Sequence, residues 1–155
     1  MIEKEVYGEE AMEQFGADMA SAFANGGVVF LDGNLGMGKT TLVRGLLRGM
    51  GYVGPVKSPT YTIVEPYEMN GIEAFHFDLY RIAEPEELEY MGIRDYFREG
   101  ALCLVEWAEM GKGVLPEADL VIHLDFVRQG RKVSIAATSA KGEAILQRFA
   151  THAAA

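Results

Sequence analysis

The sequence predicts an α/β fold, a single domain with a mixed central sheet flanked by helices. Three observations predict it. The short β-branched run Gly27-Val28-Val29-Phe30-Leu31 is followed by a glycine-rich turn and then by a helical stripe at Leu42, Val43, Leu46 and Leu47. The continuous apolar run Ala101 to Val105 has the composition of a central strand buried on both faces. Two later segments, Leu120 to Val127 and Val133 to Ala137, alternate in the manner of antiparallel strands. The 155 residues suffice for one core, so residues 1–150 are read as one domain and 151–155 as a frayed tail.

The elements follow in order. Met1-Ile2-Glu3-Lys4-Glu5 is acidic and lacks the basic-then-apolar pattern of a signal peptide. From Glu9 to Ala24, Met12, Phe15, Met19 and Phe23 share one helix face, and Asn25-Gly26-Gly27 ends it. Gly51 to Thr60, rich in Gly, Pro and Ser, reads as an exposed loop. Tyr61 to Glu65 and Ile72 to Asp78 are expected strands joined by Tyr67 to Gly71, with Asn70-Gly71 as the turn. Pro85 to Met91 starts with proline and acids, which suits a helix N-terminus; Gly92 closes it, and Ile93 to Phe97 is a second helical piece. Gln129-Gly130 is expected to join the two alternating strands into a hairpin at a sheet edge, and Lys141 to Phe149 into a final short helix.

The glycine-rich turn carries the chemistry. Gly33-Asn34-Leu35-Gly36-Met37-Gly38-Lys39-Thr40 has the spacing Gly-x-x-x-x-Gly-Lys-Thr, the Walker A or P-loop pattern. Its glycines let successive backbone N–H groups point at phosphate oxygens, and the following helix adds its positive end. Asn34, Leu35, Gly36, Met37, Gly38, Lys39, Thr40 and Thr41 are therefore the expected nucleotide cradle. Lys39 would reach the β- and γ-phosphates, and Thr40 would place its hydroxyl on Mg²⁺. The turn lies between a strand and a helix, the context the pattern requires, so the fold class is a single P-loop NTPase domain holding a nucleoside triphosphate with Mg²⁺.

Hydrolysis also needs an acid near the metal and a group that orients water. Such acids stand at the C-terminal ends of central strands, and Asp78 and Glu106 both meet that condition. Ser58-Pro59-Thr60-Tyr61 follows the loop after the P-loop helix, where hydroxyls of a switch-like segment sense a γ-phosphate; a plain turn fits it equally. Trp107 beside Glu106 is either a core residue or an interface anchor. Two decoys are set aside. Ser139-Ala140-Lys141 resembles a guanine-binding segment, but there is no Asn-Lys-x-Asp. His76, His123 and His152 lack neighbours at zinc-ligand spacing.

Composition narrows the function classes. The formal net charge of −9 repels a polyphosphate backbone, so a protein partner is expected and DNA is not. The pairs Arg44 and Arg48, Arg94 and Arg98 fit solvated helix faces as well as a basic patch. No apolar run approaches the roughly 20 residues of a membrane span. Cys103, the single cysteine, sits in an apolar strand and reads as a buried thiol. A cytoplasmic location is expected.

Together, the P-loop, Lys57-Ser58-Pro59-Thr60-Tyr61-Thr62, His76-Phe77-Asp78-Leu79-Tyr80-Arg81, Pro85-Glu86-Glu87-Leu88-Glu89 with Met91-Gly92-Ile93, and Leu104-Val105-Glu106-Trp107 closely resemble the bacterial TsaE (YjeE) ATPase family. The likeness spans roughly Gly26 to Asp125. Asn34 and Met37 stand where the family usually has an acidic residue and an alanine, at variable positions of the pattern. The resemblance implies an ATPase that works with TsaB and TsaD proteins in placing threonylcarbamoyl on adenosine 37 of tRNA, the tRNA being held by the partners. It implies phosphate and Mg²⁺ binding by Lys39 and Thr40, and a Walker B-like role on Mg²⁺ for Glu106. Asp78 would assist with metal or water, and Ser58, Thr60 and Tyr61 would form a switch-like loop. Trp107 would lie beside the nucleotide. From its position, Arg81 fits a cation in cis, a contact to a partner or a brace for the His76 to Tyr80 strand end equally well. Two alternatives stand beside it: a small-molecule kinase, for which no lid insertion is visible between Gly100 and Asp125, and a nucleotide-gated binding module with incidental hydrolysis.

Overall fold

The structure, a computed structural model, describes residues 1–34 and 38–154, and for 151–154 the backbone alone. Among the described residues, seven strands form one sheet: β1 (Ile2–Val6), β2 (Gly27–Asp32), β3 (Val64–Met69), β4 (Ile72–Asp78), β5 (Leu102–Glu106), β6 (Leu120–Val127) and β7 (Gly130–Ala137). Their spatial order is β1-β7-β6-β2-β5-β4-β3. The central strands β6, β2, β5 and β4 run parallel, and β3, β7 and β1 add antiparallel partners outside them. The sheet is therefore mixed, as expected.

Strand periodicity sorts the side chains between two faces. Ala74, Leu102, Leu104, Val29 and Leu31 pack under helices α1 (Glu9–Met19), α2 (Lys39–Gly49) and α4 (Ala140–Ala154). Phe75, Phe77, Cys103 and Val105 point the other way, onto α3 (Glu86–Tyr90) and short 3₁₀ turns at Ile93–Tyr96 and Ala108–Gly111. Because side chains two apart share a face, His76, Asp78 and Glu106 lie on the α2 side of the sheet. Helices α1 and α2 approach each other through glycines. A Cβ on Gly45 would stand 1.9 Å from the Glu13 carbonyl oxygen, and one on Gly16 would stand 2.2 Å from that of Leu42. That contact packs α2 closely against α1.

Three expectations are corrected, and one strand is present that the sequence did not signal. The acidic N-terminus forms β1, whose identity depends on pairing with β7 and on Lys132 meeting Glu3 at 2.7 Å. The strand expected at Tyr61 to Glu65 begins only at Val64, since Ile63 has φ 71° and turns the chain. Tyr67 to Met69, expected in the connection, belong to β3, and Asn70-Gly71 alone makes the turn. The β6–β7 hairpin is not at the edge: β6 lies beside β2, and β1 covers β7. Ser139, in the segment set aside as a guanine decoy, caps α4. Its hydroxyl accepts from Gly142 N at 2.9 Å and donates to Asp119 Oδ1 at 2.7 Å.

Candidate functional site

Lys39 opens α2, immediately after Gly38, whose left-handed backbone (φ 102°) favours glycine. Its side chain turns back over the start of the loop. Nζ donates to the Gly33 carbonyl at 2.6 Å and stands 3.6 Å from Glu106 Oε1. It also lies 5.1 Å from the Trp107 ring centroid. Lys39 is only 5% exposed, so its charge has little water around it. Such a cation is tolerated because the carboxylate and the carbonyl compensate it; removing one partner of a buried pair typically costs about 3–5 kcal/mol.

The two acids arrive together because β4 and β5 are parallel and in register. Asp78 pairs with Glu106 as the last residues of their strands, and each is 5% exposed. Glu106 Oε2 lies 2.6 Å from His76 Nε2. Asp78 Oδ1 accepts from the Tyr80 backbone N–H at 3.0 Å, and Oδ2 accepts from the Thr60 hydroxyl at 3.4 Å. Thr60 in turn shares a 2.7 Å hydrogen bond with Ser58. The Ser58 to Tyr61 segment is thus tied to one of the two acids, beyond what a plain turn requires.

Trp107 adopts a left-handed conformation (φ 57°, ψ 44°) directly after Glu106, turning the chain out of β5. Its ring lies against Tyr80 at 4.9 Å, while Nε1 is buried without a hydrogen-bond partner among the described residues. His76 Nδ1 is likewise buried and unpartnered. Unsatisfied buried groups are rare in folded proteins, and two of them border the same ion pair. Arg81, exposed, stacks on Tyr61 at 5.3 Å.

The structure therefore brings together Lys39, Glu106, Asp78, Trp107, Thr60 and Ser58. Gly38, Thr40 and Thr41 stand at the start of α2 beside them, and Asn34 is exposed after β2. Leu35, Gly36 and Met37 lie outside the described residues. A cavity of about 450 Å³ opens past Gly38 and Thr41, between Gly8, Glu9 and Met12 on one side and Gln129 and Arg131 on the other. Sequence reasoning missed this cavity, since it depends on β1 and the β6–β7 hairpin converging on α1. It also missed the bond from His76 to Glu106, two residues joined only by strand pairing. The basic pairs are accounted for by surface ion pairs: Arg44 with Glu9 at 3.1 Å, Arg48 with Glu13 at 3.9 Å, Arg94 with Glu89 at 3.2 Å and Arg98 with Glu73 at 3.1 Å. Among the described residues, no group of three His, Cys, Asp or Glu side chains could hold a metal by itself. No helix among them is long and apolar enough to cross a membrane.

Fold and site together define a domain of the P-loop NTPase class. Comparison with known proteins is more specific. The family described as "Threonylcarbamoyl adenosine biosynthesis protein TsaE" matches residues 6–133. The tRNA threonylcarbamoyladenosine biosynthesis protein TsaE of Haemophilus influenzae is 52% identical over 122 residues, covering 79% of this chain and 77% of that protein. The protein of the same name from Bacillus subtilis is 35% identical over 140 residues, covering 88% and 86%. The crystal structure of Bacillus subtilis YdiB superposes with a TM-score of 0.81 at 28% identity, over 98% of this chain and 95% of that one. This chain belongs to the TsaE family.

Proposed function

We propose that this chain is the ATP-binding and ATP-hydrolysing subunit in the biosynthesis of threonylcarbamoyladenosine at position 37 of tRNA, acting with TsaB and TsaD proteins. The observation that carries the catalytic part is the nearly buried Lys39, held at the start of α2 between the Gly33 carbonyl and Glu106. A lysine kept out of water at a helix N-terminus is a phosphate ligand in waiting. The names of the relatives carry the pathway.

The donor set fits a nucleotide with Mg²⁺. Lys39 and the backbone N–H groups at the start of α2 bind phosphate, with the Thr41 hydroxyl alongside. Thr40 and Glu106 would hold Mg²⁺, which would supply charge neutralisation. Lys39 stands against Glu106 as a neutralising cation, a place the metal would relieve it of. Asp78, tied to Thr60, connects the Ser58 to Tyr61 loop to the site, so ordering that loop would set the acid that positions water. The Trp107 N–H, without a partner among the described residues, is placed to donate to a bound group. The cavity beside Gly38 and Thr41 is the place for the nucleoside end. Between β5 and β6 the connection, residues 107–119, holds one short turn (Ala108–Gly111) and no arginine, which offers no arginine-bearing lid for a kinase.

The test is calorimetric titration of ATP with Mg²⁺ into the wild type and Lys39→Ala. A charged hydrogen bond to phosphate contributes about 1.5–3 kcal/mol, so the variant should bind about ten- to a hundredfold more weakly. Equal binding by the two would refute the nucleotide site.

A further inference from the structure

His76 is fully buried on β4. An ionised Glu106 carboxylate has only acceptors, so the proton shared across the 2.6 Å contact belongs to Nε2 of His76, which donates it to Oε2. The other ring nitrogen, Nδ1, has no partner among the described residues. An apolar side chain would fill this place in the core without a polar penalty, yet the strand carries an imidazole with half its hydrogen bonding unmet. The contact with Glu106 is what that imidazole supplies.

The two oxygens of Glu106 are held in different ways. Oε2 is bound by a ring fixed in the sheet. Oε1 faces Lys39 at 3.6 Å, on a long side chain that also bonds the Gly33 carbonyl. We propose that His76 is the positioning residue of the site: it clamps Glu106 through Oε2, so that Oε1 keeps its orientation toward Mg²⁺ when Lys39 turns to phosphate. The inference rests on the nucleotide reading above and adds to it a residue that touches neither nucleotide nor metal. Outer hydrogen bonds of this kind commonly contribute ten- to a hundredfold in metal affinity.

Two polar replacements separate positioning from packing. Glutamine places an N–H about where Nε2 stands, whereas asparagine is too short to reach Glu106. The non-hydrolysable analogue AMP-PNP is titrated by calorimetry into wild type, His76→Gln and His76→Asn, in EDTA and again in excess Mg²⁺, with folding checked by thermal melts. Metal-free affinity should agree within about threefold across the three proteins. The tightening produced by Mg²⁺ should survive in His76→Gln and fall by about tenfold or more in His76→Asn. A Mg²⁺ effect unchanged in His76→Asn, or lost equally in both variants, would overturn the proposal while leaving the nucleotide site standing. Should His76→Asn fail to fold, His76→Leu takes its place beside His76→Gln, with the same expected fall of about tenfold or more in the Mg²⁺ effect and the same overturning result. Absence of any Mg²⁺ effect in the wild type would overturn the metal reading and this proposal with it.

Discussion

Glu106 concentrates the chemistry at the scale of single residues. One oxygen meets a cation and the other a histidine, and both sit away from water. Glu106→Gln keeps the shape and removes the charge. It should lower Mg²⁺-dependent hydrolysis about a hundredfold while changing the nucleotide affinity measured in EDTA by less than about threefold. Steady-state kinetics set beside calorimetry measures both, and equal loss of the two would assign Glu106 to folding alone. Cys103 shows the opposite kind of burial. Desolvation in β5 pushes its thiol up to about 12, with Arg98 opposing only weakly. The folded pKa thus exceeds the unfolded one, so this contribution to stability is present at neutral pH and is lost as pH rises from about 9 toward 12. Iodoacetamide at pH 7.5 should accordingly modify the native protein far more slowly than the guanidinium-unfolded chain; comparable rates would contradict the buried thiol. Lys39, Asp78 and Glu106 were legible as residues because the P-loop pattern and strand ends mark them. His76 was not, because nothing local shows that strand pairing will bring it to a carboxylate 30 positions away.

At the element scale, the α1–α2 contact holds the helix that begins at Lys39. Gly45→Ala would force a methyl onto the Glu13 carbonyl, at an overpacking cost of about 1–3 kcal/mol. The melting temperature should drop by roughly 3–10 °C, read by circular dichroism, and an unchanged value would mean the helices separate at no cost. The loop from Ser58 to Tyr61 acts at the same scale. Ser58→Ala combined with Thr60→Ala removes its tie to Asp78 and should lower turnover in the presence of TsaB and TsaD; full activity there would reduce the segment to a turn. Elements with strong local signals, β2, α2, β4 and β5, were readable from periodicity and apolar runs. The N-terminal strand was not, since Glu3, Lys4 and Glu5 give it no apolar alternation and only β7 makes it a strand. The start of β3 was misplaced because β-branched Thr62 and Ile63 suggest a strand, whereas the positive φ of Ile63 turns the chain there. The hairpin was misplaced at the edge for the same non-local reason.

The whole molecule is an acidic domain, −9 by formal charge, with its reactive groups gathered at the C-terminal ends of β4 and β5. That charge disfavours direct contact with tRNA and fits a division of labour in which partner proteins hold the nucleic acid. The proposed catalysis, by positioning and charge neutralisation, would also leave room for a partner to complete the site, by ordering the Ser58 to Tyr61 loop or by adding a cation. Global topology was legible as a mixed α/β sheet, while strand order beyond the P-loop strand and its neighbour was not. The measurement that tests the account most directly is steady-state ATP hydrolysis by the purified chain, alone and with a TsaB–TsaD pair from the same source. The account predicts slow turnover alone and stimulation of about tenfold or more with the pair. The same slow rate in both, with nucleotide binding intact, would contradict it.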